Sequence, residues 1–130
     1  MVGQKVDRYR FQQLIGKGSS SEVYRAHDMR LYRDVAIKVF DPDARRTAEI
    51  LERFMKEARI QARLEHANIV PLYDLLEHRK RMFLVMRFVH GQNLRRIIQR
   101  RGRALDPLEA LAYMRQVLDG VSFAHSKGVI

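Results

Sequence analysis

Ile15-Gly16-Lys17-Gly18-Ser19-Ser20-Ser21-Glu22-Val23, followed after a short interval by Val35-Ala36-Ile37-Lys38, is the stretch whose reading decides the fold. A turn rich in glycine and serine sits between alternating apolar runs, and a lysine closes a third run. Tyr9, Phe11 and Ile15 occupy odd positions, the period-2 pattern of a strand entering the turn. Val23-Tyr24-Arg25-Ala26 resumes extended character beyond it, and His27-Asp28 opens a loop. In residues 33–40, Val35, Ile37 and Val39 point one way while Ala36 and Lys38 point the other. That parity puts Lys38 beside Ala36 on a face that need not be core. Asp41-Pro42-Asp43 stops the strand, because proline cannot donate to a ladder.

Working outward, the spacing becomes helical from residue 44 to about 63, where Ile50, Leu51, Phe54, Met55, Ala58 and Leu64 recur at three- and four-residue steps. Glu57 falls close to the inward face of this helix, and a stray surface charge is the plain alternative for it. Residues 69–76 and 82–89 read as two more strands, joined by a basic turn at 77–81. Gly91 punctuates, and 94–99 makes a short helix. Asp106-Pro107-Leu108-Glu109 then opens a longer one: Asp106 can cap, Pro107 suits the first turn, and Glu109 sits three residues after the cap. Leu111, Met114, Val117, Leu118 and Val121 form its apolar face. No internal repeat and no low-complexity segment interrupts this order.

At 130 residues, 46% hydrophobic and 31% charged, the chain has the make-up of one modest globular domain. No apolar run reaches the roughly 18 residues a membrane span needs. Residues 1–10 carry Lys5, Asp7, Arg8 and Arg10 without an apolar core, so no signal peptide is expected. The absence of cysteine excludes a disulfide framework and a thiolate metal site, and it fits a reducing, cytoplasmic setting. The net charge of +10 comes from 25 Lys+Arg against 15 Asp+Glu. Its clusters, among them Arg79-Lys80-Arg81 and Arg100-Arg101-Gly102-Arg103, read as a solvated surface that suits anionic ligands. They are not interleaved with aromatics as a single-strand stacking groove requires, so nucleic acid is not the expected partner.

Three kinds of phosphate-binding turn compete for the glycines. A P-loop needs four residues between its first glycine and a Gly-Lys-Ser/Thr, a spacing this stretch lacks. A dinucleotide fingerprint must open a helix, whereas residues 23–26 continue as a strand. A strand–turn–strand flap fits. Its glycines let backbone N–H groups approach phosphate oxygens, while flanking apolar side chains touch a base. A plain hairpin turn is the structural alternative.

At this point the residues resemble the first part of a eukaryotic-type Ser/Thr protein kinase domain of the bacterial kind. Gly16-x-Gly18-x-x-Ser21-x-Val23 is similar to the family's glycine-rich loop, with serine in place of the third glycine, and Val35-Ala36-Ile37-Lys38 matches V-A-I-K throughout. The resemblance implies that Lys38 holds the α- and β-phosphates of ATP and pairs with Glu57, 19 residues on, as a supporting ion pair. His66-Ala67-Asn68-Ile69-Val70 resembles H-P-N-I-V with alanine replacing proline. Residues 83–91 resemble the hinge strand, with Met86 as gatekeeper and the backbone of Arg87 and Val89 facing adenine. The implied nucleotide-binding set is Ile15, Gly16, Lys17, Gly18, Ser19, Ser20, Ser21, Val23, Ala36, Lys38, Glu57, Met86, Arg87 and Val89.

The fold class implied is α+β: a kinase-like N-lobe of five antiparallel strands and one long helix, then two helices of an incomplete helical C-lobe. Residues 1–8 would be an extension, 9–90 the N-lobe with its ATP loop and hinge, and 91–130 the start of the C-lobe. In the family, His125 and the residues around it come just before the H-R-D motif, whose aspartate serves as catalytic base. His125 itself is expected to pack or cap. No catalytic residue is expected within these residues, nor the protein ligands of the magnesium that accompanies ATP. The 130 residues are therefore expected to be inactive alone, a protein substrate belonging to a complete parent. The apolar face of 106–128 is expected to self-associate or take a partner. A non-catalytic module of the same fold, binding nucleotide or a partner for regulation, is the second functional reading, and a basic nucleic-acid-binding protein the third.

Overall fold

The computed structural model describes residues 1–40 and 48–130, together with the backbone of Thr47. The strand stop at Asp41-Pro42-Asp43 and the helix start expected at Ala44 lie outside the described residues. The elements run β1 (Lys5–Val6), β2 (Tyr9–Lys17), β3 (Ser21–Asp28), β4 (Arg33–Phe40), α1 (Thr47–Ala62), β5 (Leu72–His78), β6 (Arg81–Arg87), α2 (Leu94–Arg101) and α3 (Pro107–Ser126). They fall into two compact units, one of residues 1–63 and 70–88, the other of residues 64–69 and 89–130.

The first unit is an antiparallel sheet in the order β1-β2-β3-β4-β6-β5, with α1 on one face. It has six strands where five were expected, because Lys5 and Val6 pair with Arg10 and Tyr9 and bury Val6. β5 begins at Leu72, not at 69, since Pro71 has no N–H for the ladder and offers its carbonyl to the amide of Arg87 at 3.1 Å. The β5–β6 turn consists of Arg79 and Lys80, both left-handed (φ 48° and 64°), the geometry whose twist matches two paired strands.

The alternation read in the sequence sorts side chains onto the two faces. Val6, Tyr9, Phe11, Tyr24, Ala26, Val35, Ile37, Val39, Phe83 and Val85 form the core away from α1. Phe11 meets Tyr24 and Phe83 edge-on, at ring centroids 5.4 and 6.1 Å apart. On the other face Phe40, Leu84, Phe54 and Ala58 join strand to helix. Ile15 departs from the odd-position pattern and is 46% exposed. Register shifts between Phe11 and Gln13 and between Leu14 and Gly16 displace it, as bulges do.

The β3–β4 connection is held by Asp28, whose buried carboxylate accepts the amides of Arg30 and Leu31 at 2.9 and 3.0 Å. Arg8 lies 3.3 Å from its second oxygen. Burial opposes the charge on Asp28, but those two amides and Arg8 outweigh it and hold its pKa below the ordinary 3.8. Asp34 is likewise held low by hydrogen bonds from His27 and Arg25.

In the second unit, Asn93 caps α2 by accepting the Arg96 amide at 2.9 Å, and Gly102 closes it in the left-handed region. Pro107 opens α3 as expected, but the Asp106 side chain makes no capping bond and lies 3.6 Å from Arg103 instead. Residues 66–68 dock on α3. The Asn68 side chain donates to the Gln116 carbonyl at 2.9 Å, and the His66 ring lies 5.1 Å from that of Phe123. Gly120, buried against Asn68, leaves the room this needs, for a Cβ there would meet the Asn68 carbonyl at 3.4 Å. His125 lends its carbonyl to the C-terminal turn at Gly128, and its side chain is exposed. Leu108, Leu111, Met114, Val117, Leu118 and Val121 all stand exposed along α3.

Candidate functional site

The turn between β2 and β3 is Gly18-Ser19-Ser20, closed by the Gly18 amide donating to the Ser21 carbonyl at 2.8 Å. Neither Gly16 nor Gly18 adopts a positive φ. A Cβ at Gly16 would meet that of Val23 at 3.6 Å, and one at Gly18 the Ser21 carbonyl at 3.5 Å, both ordinary contacts. The hairpin itself therefore does not demand glycine at either position. On β3, Glu22 accepts the Tyr24 hydroxyl at 2.5 Å and lies 3.8 Å from Lys17, bracing the turn from the side. Burial, reinforced by Glu22, pushes the Tyr24 phenol up to about 12.

Register aligns the residues beneath the turn. Gly16 pairs with Val23, Val23 with Lys38, and Lys38 with Leu84, so all four share one line across the sheet. Directly paired residues share a face. Two residues along, Ala36 pairs with Met86, and Met86 with Leu72. Val23, Ala36, Lys38 and Met86 thus lie on the face that α1 covers, as the parity of β4 requires. Lys38 donates from Nζ to Glu57 Oε2 at 2.7 Å, and its ammonium lies 5.9 Å from the Phe54 ring centroid. The lysine side chain is 26% exposed and that of Glu57 58%, so solvent screens the pair.

Between the turn and α1 lies a cleft of about 240 Å³, lined by Ser19, Ser20, Ser21, Lys38, Phe40, Ile50, Arg53, Phe54 and Glu57. It brings five of the sequence-predicted site residues together. Gly16, Val23, Ala36 and Met86 share the face without lining this cleft, and Lys17 and Gly18 line a separate cavity of about 450 Å³ with Tyr24, Val39 and Arg81. Exposed Ile15 lies on β2 next to the turn. At the end of β6, the Arg87 amide is committed to the Pro71 carbonyl. Val89 belongs to the second unit and is exposed. Sequence reasoning missed Arg53, Ile50, Phe40 and Phe54 as lining residues. Arg53 was legible in principle, four residues before Glu57 on the same helix face. Among the described residues no group of three or more His, Asp or Glu converges as metal ligands.

A family model described as protein kinase domain matches residues 9–130. The chain belongs to the protein kinase domain family. It is 36% identical over 131 residues to the serine/threonine-protein kinase PrkC of Bacillus subtilis (strain 168), covering 100% of this chain and 20% of that protein. It is 35% identical over 128 residues to the serine/threonine-protein kinase PknD of Mycobacterium tuberculosis, covering 98% of this chain and 19% of that one. The chain thus spans about a fifth of the length of those relatives. Among solved structures, the apo form of PpkA-294 superimposes with a TM-score of 0.66 at 24% identity, over 76% of this chain and 42% of that one, which speaks for the fold. No described helix is long and apolar enough to cross a membrane.

Proposed function

We propose that these residues form the ATP-binding portion of a Ser/Thr protein kinase whose complete chain transfers the γ-phosphoryl group of ATP to protein serine or threonine. The observation that carries the reading is the 2.7 Å bond from Lys38 to Glu57 at the edge of a cleft roofed by Ser19–Ser21. A cation fixed by a carboxylate on a packed helix can hold phosphate oxygens without first paying to order itself. The two glycines support it as well: neither their backbone conformation nor their packing requires glycine, which fits a role in letting a phosphate approach closely, although the Gly18 amide itself is committed to the Ser21 carbonyl. Ile15, Val23, Ala36 and Met86 supply the apolar surface for the base, and the backbone of Arg87 a hydrogen bond to it. ATP arrives with magnesium as substrate, and a cytoplasmic setting is where both are available.

The 130 residues contain neither an H-R-D nor a D-F-G sequence. A polypeptide of these residues alone is therefore expected to bind nucleotide without transferring phosphate, because a general base contributes about 10²–10⁴ in rate and the metal-held charge more. Calorimetric titration of the purified polypeptide with ATP and magnesium tests the reading. Binding that weakens at least tenfold in Lys38→Met, with an unchanged circular dichroism spectrum, is the expected result. No heat of binding in either protein overturns it.

A further inference from the structure

Arg53 is the one residue with a second positive charge lining the cleft among the described residues, and the sequence reading gave it no role. It stands on α1 one turn before Glu57, so its side chain and the carboxylate rise from the same helix face. Its exposed guanidinium forms no hydrogen bond or ion pair with any described residue, whereas Lys38 is tied to Glu57. Among the described residues the charged groups of the cleft are then two cations against one carboxylate, and Ser19, Ser20 and Ser21 line it with them. Phe40, Phe54 and Ile50 form its apolar floor and lower the local dielectric. Such a site favours a compact anion with several acceptor oxygens, and a guanidinium fork meets a phosphoryl group with two parallel bonds.

We propose that Arg53 is a phosphoryl-recognition residue of this cleft, which binds the outermost phosphate of a bound nucleotide while Lys38 serves the inner ones. The inference rests on the nucleotide reading above, and it adds a specificity: triphosphate is distinguished from diphosphate by a side chain on α1. It also ties the position of α1 to the ligand, because the cation and the partner of Lys38 share one helix.

The test compares ATP and ADP binding to the 130-residue protein, its Arg53→Gln and Arg53→Lys variants and Lys38→Met. ATP affinity is expected to fall about fivefold in Arg53→Gln, the equivalent of one charge-assisted contact at a solvent-accessible site. ADP affinity is expected to change less than twofold, and Arg53→Lys to recover part of the loss for ATP. A parallel titration with inorganic phosphate, followed by amide shifts of Ser19–Ser21, separates the two sources of the group. Shifts that Arg53→Gln abolishes assign the site to free phosphate too, and their absence confines it to the nucleotide. If wild type discriminates ATP from ADP no better than Arg53→Gln does, and phosphate moves nothing, the proposal is overturned. If neither nucleotide binds wild type, the nucleotide reading fails instead.

Discussion

Replacing Gly16 with alanine separates what the turn needs from what a ligand needs. The backbone at Gly16 is not left-handed, and the new methyl carbon would rest 3.6 Å from the Val23 Cβ, a normal packing distance. Nothing in the fold resists it. Removing glycine's freedom from the unfolded chain at a compatible site stabilises by about 0.4–1 kcal/mol, so the urea midpoint should hold or rise. Nucleotide binding should move the other way. An amide donating to a phosphate oxygen at about 2.9 Å leaves no room for a methyl group between the strand and the phosphate chain. Losing one contact to a charged group removes roughly 1.5–3 kcal/mol, or about 10- to 150-fold in affinity. Urea unfolding and calorimetric ATP titration on the same preparation give both numbers. An affinity within twofold of wild type would refute the role assigned to the glycine. A stability loss above about 1 kcal/mol would refute the claim that the hairpin tolerates a side chain.

Asp28→Ala should cost about 2–3 kcal/mol in urea unfolding, since it strands the amides of Arg30 and Leu31 and the Arg8 guanidinium around a buried hole. The depressed carboxylates set the acid limb: Asp28 and Asp34 have folded pKa values below 3.8, so their stabilisation is complete above that pH and is lost as pH falls through the lower folded values. A urea midpoint flat from pH 5 to 7 and falling below about 4 is expected, with a shallower fall in Asp28→Asn. The exposed apolar face of α3 should bring two copies together, and Leu118→Glu, placed in its middle, should return the protein to a monomer in sedimentation velocity. A wild type that sediments as a monomer at every concentration would remove that expectation.

How far the sequence could be read depended on whether a residue's job was local. The parity of residues 33–40 put Lys38 on the face of Ala36, and the helical spacing of α1 put Glu57 near the inward side. Two independent periodicities therefore met in one 2.7 Å bond. Ile15 escaped because a bulge is a single extra residue and leaves no trace in the alternation of its neighbours. Lys5 and Val6 escaped because two residues are too short a run to show a period, and only the partner strand Tyr9–Lys17 makes them a strand. Asp106 shows the limit of a local rule in the other direction. It occupies the cap position, yet its side chain bonds no amide and its carboxylate stands 3.6 Å from Arg103, three residues earlier. Arg53 belongs to a third class. Its neighbour Glu57 follows from helix geometry, but its place under Ser19–Ser21 depends on how the hairpin curls over α1, which no spacing encodes. The cleft's fixed pair could be read from its motif; for the cation beside it the helix face was legible, and only its place under the turn needed the fold.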